Sequence, residues 1–261
     1  MSDLDDAYAN GAYIEGAAAY PPRWAAAAAE FRAAHGAQLD ISYGHSPRMA
    51  YDLFAPQAEA KGTLIFVHGG YWLKFDRSYW SHFAAGALGR GWAVAMPSYD
   101  LCPGIRIAGI TQQIAQAISH IAKTTTGPIS LAGHSAGGHL VARMLAPGML
   151  PKAVIDRITH VVPISPLGDL APLMQTSMNA DFHLDPGMAR AESPCHQSVP
   201  DTQVSVWVGA DERPAFLDQA RLLADAWGSA HAVIPGKHHF DIIDALADPA
   251  SDLTQRLTTA P

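Results

Sequence analysis

Apolar residues in this chain gather into short runs rich in Val, Ile, Leu and Ala, at 62–68, 92–97, 129–132, 158–164, 204–208 and 232–234. Short unbroken blocks of this kind read as strands buried on both faces of a sheet. Longer stretches with another rhythm separate them. Ile recurs at 107, 110, 114, 118 and 121, a spacing of three and four that lines one side of a helix over 107–123. Phe216, Ala220, Leu223 and Trp227 repeat that spacing over 216–227, and Ala-rich residues 23–34 predict a further helix. Upstream of the first run, 38–43 and 48–54 read as a hairpin turning at Gly44-His45-Ser46-Pro47. Strands alternating with crossover helices predict an α/β fold over one domain, 1–261: a mostly parallel central sheet with helices on both faces. Between 166 and 197 the rhythm breaks, with Pro166, Gly168, Pro172, Pro186, Gly187 and Pro194 as punctuation. Short helical pieces are expected there, forming a small cap insertion over the sheet edge.

Composition narrows the function classes. With 49% hydrophobic and 16% charged residues in 261, the chain can bury a large core, which excludes a disordered or fibrous protein. The formal charge is −7 and no Lys/Arg cluster exceeds two residues, so neither nucleic acid nor an anionic membrane is an expected partner. The opening Met1-Ser2-Asp3-Leu4-Asp5-Asp6 has no basic or apolar leader character, and only Cys102 and Cys195 occur. A cytoplasmic protein with free thiols is therefore expected. No apolar stretch approaches the ~20 residues of a membrane span. Metal-ligand spacings and Gly-rich phosphate motifs are missing from the sequence, so no metal and no cofactor is expected.

Chemistry concentrates at Gly133-His134-Ser135-Ala136-Gly137, a G-x-S-x-G string between a predicted strand (129–132) and a predicted helix (138–145). A Ser on such a turn adopts a strained backbone, and side chains two positions before or after it would collide with neighbouring elements; hence the glycines. The helix start aims the Ala136 N–H at any oxyanion beside Ser135. A second donor is expected from His68-Gly69-Gly70-Tyr71-Trp72, where Gly69 and Gly70 leave backbone amides bare. A base and an orienting carboxylate then follow in the order acid, His. The run 204–208 ends in Gly209-Ala210-Asp211-Glu212, and 232–234 ends in Pro235-Gly236-Lys237-His238-His239-Phe240. Spacing leaves Asp211 and Glu212, and likewise His238 and His239, as alternatives. His134 and His139, beside the Ser turn, read as packed residues. Tyr71, Trp72, Tyr79 and Trp80 are either core or an aromatic wall for an aryl substrate.

These residues resemble the α/β-hydrolase superfamily and, within it, the arylformamidase (kynurenine formamidase) group and related small esterases. The resemblance covers nearly the whole chain, and His68-Gly69-Gly70-Tyr71-Trp72 is its most specific mark. It implies an α/β-hydrolase fold with Ser135 as nucleophile, His239 as general base, and Glu212 (or Asp211) as orienting acid. Gly69, Gly70 and Ala136 would form the oxyanion hole, with Tyr71 and Trp72 lining the substrate pocket. The sequence departs from the group at Leu167-Gly168-Asp169-Leu170, where an aromatic residue often precedes the Asp-Leu pair. The expected function is hydrolysis of a small formyl or acyl group, with N-formylkynurenine-like substrates first and short acyl esters as the alternative. A third reading, a binding protein that has lost turnover, is countered by the full set of residue types in order. The expected partner is a small molecule; self-association into a homodimer is left open.

Overall fold

The computed structural model describes residues 3–198 and 202–259. Met1, Ser2 and the ends of the unit expected over 1–261 lie outside the described residues. Among the described residues, eight strands form one sheet: β1 (Ala37–Ser42), β2 (Ala50–Phe54), β3 (Thr63–Val67), β4 (Ala93–Pro97), β5 (Ile129–His134), β6 (Ile158–Ile164), β7 (Gln203–Gly209) and β8 (Ala230–Ile234). Their order is β1-β2-β4-β3-β5-β6-β7-β8. The β1/β2 hairpin and the β2/β4 pair are antiparallel, and from β4 onward every neighbour is parallel. All the strand expectations have a counterpart here.

The central strands read as unbroken apolar runs because both faces are covered. Along β3, Ile65 and Val67 join the cluster built by Ile110, Ile114 and Ile118 of the helix Ile107–Thr124. Leu64 and Phe66 point the other way, into a cluster with Trp24, Trp80, Trp92 and Leu253. Alternate residues thus serve opposite cores. The helix Tyr20–Ala34 begins earlier than expected, since Pro21 and Pro22 occupy its first turn, where a missing N–H costs nothing.

Residues 166–197 form short helical pieces, including Ala171–Gln175, Asn179–Phe182 and Pro186–Glu192. They are anchored rather than loose. Glu192 is buried and pairs with Arg143 at 3.2 Å and with the Thr111 hydroxyl at 2.7 Å. Gly168 lies so near the helix Pro214–Trp227 that an added Cβ would meet Gln219 O at 2.9 Å and Leu223 Cβ at 3.0 Å. That contact leaves no room for the aromatic residue expected from the resemblance.

Residues 3–19, which carry no clear hydrophobic period, form a strap of the helix Asp3–Ala7 and the turns Asn10–Tyr13 and Ala17–Ala19. The Tyr71 hydroxyl donates to Tyr8 O at 2.7 Å, and Gln219 Nε2 donates to the Tyr8 hydroxyl at 2.8 Å. Ser177 N donates to Asp5 Oδ1 at 2.6 Å. The strap therefore crosses the carboxyl edge of the sheet, where open α/β folds place their sites.

Candidate active site

Ser135 sits between β5 and the helix Ala136–Arg143 at φ 56° and ψ −118°, a conformation that L-residues avoid unless their surroundings impose it. What imposes it is crowding. A Cβ on Gly133 would lie 2.1 Å from Gly137 O, and one on Gly137 would lie 2.0 Å from Val67 O. The Ser135 N–H donates to Ile164 O at 2.8 Å, and its side chain does not cap the helix that follows. The helix starts at Ala136, two residues before the expected 138, so the Ala136 N–H lies in its first turn, among the donors a helix leaves without intrahelical partners. Its positive end adjoins the Ser135 side chain.

The glycines after β3 come close to this turn. An added Cβ on Gly69 would meet His134 O at 2.7 Å and Ser135 Cβ at 2.9 Å. Gly70 takes φ 107°, and its carbonyl accepts from Leu73 and Lys74 N–H groups at 3.0 and 3.1 Å. Only glycine tolerates both demands. His68, stacked on Tyr99 at 4.3 Å between ring centroids, is buried and held neutral, its pKa lowered to about 4.

Of the two carboxylate candidates, the structure brings Glu212 to His239. Glu212 Oε2 lies 2.6 Å from His239 Nδ1, with both side chains buried. Its other oxygen accepts from Gly209 N at 2.8 Å and from the Ser165 hydroxyl at 2.5 Å. Asp211 is exposed and makes no contact of this kind. The two loops are pinned together, since a Cβ on Gly209 would reach Lys237 O at 2.2 Å. His238 turns away: its Nε2 meets the Tyr20 hydroxyl at 3.1 Å, and its N–H donates to Asp241 Oδ1 at 2.7 Å.

His134 links the Ser135 turn to the His239 loop. Its Nε2 donates to His239 O at 2.8 Å, and the two rings lie 4.6 Å apart. Burial, then the neighbouring His239, holds the His134 pKa well below the ordinary imidazole range, so it stays neutral. His139 donates to Glu192 O at 2.7 Å and is likewise held neutral by burial, lowered to about 4. Both behave as packed, hydrogen-bonded residues. The His239 side chain bonds Glu212 and not Ser135.

A cavity of about 210 Å³ opens beside His239 and Glu212, with Asn10, Tyr13, Ile14 and Arg213 in its walls. It lies below the usual 300–1,000 Å³ of small-molecule sites, so it fits a compact group. Three of those walls come from the strap and none from 166–197. Tyr71 stands nearby, 6.4 Å from the Phe216 ring, which in turn lies 4.5 Å from that of His239. Trp72 corrects its expectation: it is fully buried, edge-on to His139 and Phe182, and serves the core rather than a pocket wall. Sequence reasoning missed Ser165 and the strap residues, and read Phe216 as one of a helix stripe. A Ser at positive φ (47°) leaves no pattern in a single chain. Elsewhere, Asp169, Cys195 and His196 bring one ligand atom each within 4.8 Å of one another. Of these, the Cys195 thiol is pushed up to about 11 by burial. Among the described residues, no helix is long and apolar enough to cross a membrane.

Comparison with known proteins agrees with this fold. The model of the alpha/beta hydrolase fold family matches residues 64–230. Kynurenine formamidase of Salmo salar is 26% identical over 236 residues, covering 84% of this chain and 80% of that protein. The enzyme of the same name from Drosophila melanogaster is 27% identical, covering 83% and 79%. A crystal structure from Silicibacter sp., whose name suggests a thioesterase, superposes with a TM-score of 0.98 at 60% identity, covering 99% of this chain and 100% of that one. Esterase B of Lactobacillus rhamnosis shares the fold at a TM-score of 0.68 and 17% identity, covering 97% and 92%. The chain belongs to the alpha/beta hydrolase fold family.

Proposed function

We propose that this chain is a serine hydrolase acting through an acyl-enzyme, with N-formyl arylamines of the N-formylkynurenine type as preferred substrates. Ser135 Oγ attacks the formyl carbon while its proton passes to His239 Nε2, and Glu212 holds the ring through Nδ1. The oxyanion formed is held by backbone N–H groups of Gly69, Gly70 and Ala136, each such donor worth on the order of 10²- to 10³-fold in rate. Collapse breaks the C–N bond, His239 returns the proton to the departing amine, and water, deprotonated by His239, releases formate from Ser135.

The observation that carries this reading is the Glu212–His239 pair, buried and tied through the His239 carbonyl to His134, the residue beside Ser135. The formamidase relatives support the formyl arylamine choice over larger acyl groups. Esters of short acids are the second reading, supported by the esterase neighbours. The test compares kcat/KM for N-formylkynurenine, p-nitrophenyl acetate and a short acyl thioester, with Ser135→Ala as control. The expected outcome is a preference for the formamide, together with loss of several orders of magnitude in the variant. A large preference for either ester overturns the substrate choice, and substantial activity in Ser135→Ala overturns the mechanism.

A further inference from the structure

Asn10 is buried at 6% exposure, yet neither its carboxamide oxygen nor its nitrogen has a hydrogen-bond partner. Buried carboxamides almost always find one. The position is not a frayed end. Its strap is pinned two residues earlier by the bonds to Tyr8, whose ring packs edge-on against Phe216 at 5.8 Å. Arg213 secures it further, bonding Asp6 Oδ2 at 2.7 Å and lying 3.6 Å over the Tyr13 ring. Asn10 therefore borders the cavity beside His239 on a fixed piece of backbone, with one acceptor and two donor hydrogens unused.

We propose that Asn10 binds the amine half of an amide substrate and sets the preference for formamides over esters. This rests on the hydrolase reading above. The leaving atom must come within reach of His239, which delivers its proton, so the group next to His239 receives the leaving half rather than the acyl half. An amide presents an N–H there; an ester presents only oxygen. Asn10 Oδ1 can accept from that N–H, while Nδ2 can donate to an acceptor on the aryl group. The charges around the cavity disfavour an anionic occupant. Arg213 is already paired with Asp6, and Asp211 and Glu212 add negative charge on the same side. A site that pairs with an N–H discriminates against an analogue lacking it, because its own polar atom is then left unpaired.

The test uses two isosteres, formanilide and phenyl formate, which differ by N–H against O, with the full-length protein and with Asn10→Leu and Asn10→Ala. Uncatalysed rates are subtracted. Both variants are expected to lose about tenfold more kcat/KM on the formanilide than on the ester. The thermal midpoint of Asn10→Leu is expected to hold or rise, because two orphaned polar atoms are removed. Equal losses on both substrates, or an unchanged ratio, overturn the role of Asn10, as does a midpoint lowered by several degrees alongside a common loss. A wild-type protein inert on both isosteres overturns the hydrolase reading itself and this role with it, an outcome distinct from an active enzyme whose ratio ignores position 10.

Discussion

Glu212 is fixed at both oxygens: Oε1 accepts from Ser165 and Gly209, and Oε2 takes the His239 ring. This arrangement makes neighbouring residues in the sequence very unequal. Glu212→Gln would put an amide against Nδ1 and favour the wrong tautomer, with an expected fall in kcat of about 10³- to 10⁴-fold. Asp211→Asn, at an exposed carboxylate, is expected to stay within about threefold; steady-state kinetics on one substrate distinguishes the two. The elbow Ser and the glycines were legible because steric need dictates them: few residues survive where Val67 O stands 2.0 Å from an added Cβ. The pairs Asp211/Glu212 and His238/His239 were not legible from spacing, since both members lie on a loop. Which one faces inward depends on how the two loops meet, and the end of β7 at Gly209 lies hard against Lys237 in the loop that follows β8.

At the level of elements, strands and crossover helices were readable because each carries its burial in its own local period. The helix Ile107–Thr124 buries Ile107, Ile110, Ile114, Ile118 and Ile121 as their spacing required. The strap was not readable, because its reasons lie far away in the chain. Tyr8 meets Tyr71 and Gln219, which are 63 and 211 residues distant, and residues 3–19 show no stripe of their own. Its cover over the His239 cavity also explains why the cavity walls came from an unexpected quarter. The turn between β5 and its helix has no slack. Gly137→Ala would force backbone apart against Val67 and His68, and its expected outcome is a loss of folded protein, read as a fall in soluble yield and in the thermal midpoint. A Gly137→Ala protein with a wild-type midpoint would contradict the close approach described.

Across the whole molecule, burial has left several imidazoles uncharged. His68 and His139 are lowered to about 4 by burial, and His134 lies well below its ordinary range for the same reason. In the unfolded chain each would titrate near 6.5, so between that value and about 4 the unfolded state binds more protons than the native one. Stability is therefore complete above about pH 6.5 and declines as pH falls through that window. A shift from 6.5 to about 4 corresponds to on the order of 3 kcal/mol per fully buried imidazole. Thermal midpoints are expected to drop steadily from pH 7 to pH 4, and calorimetry showing no change across that range would contradict it.

The same shielding gives one hydrogen an unusual fate. The proton between Glu212 and His239 rides a 2.6 Å bond whose two side chains are 0% and 4% accessible to solvent, so it should exchange slowly with water and stand apart, far downfield, in a proton NMR spectrum. An inhibitor settling against the imidazole would shift that line, turning a buried linkage into a built-in reporter of occupancy that needs no label.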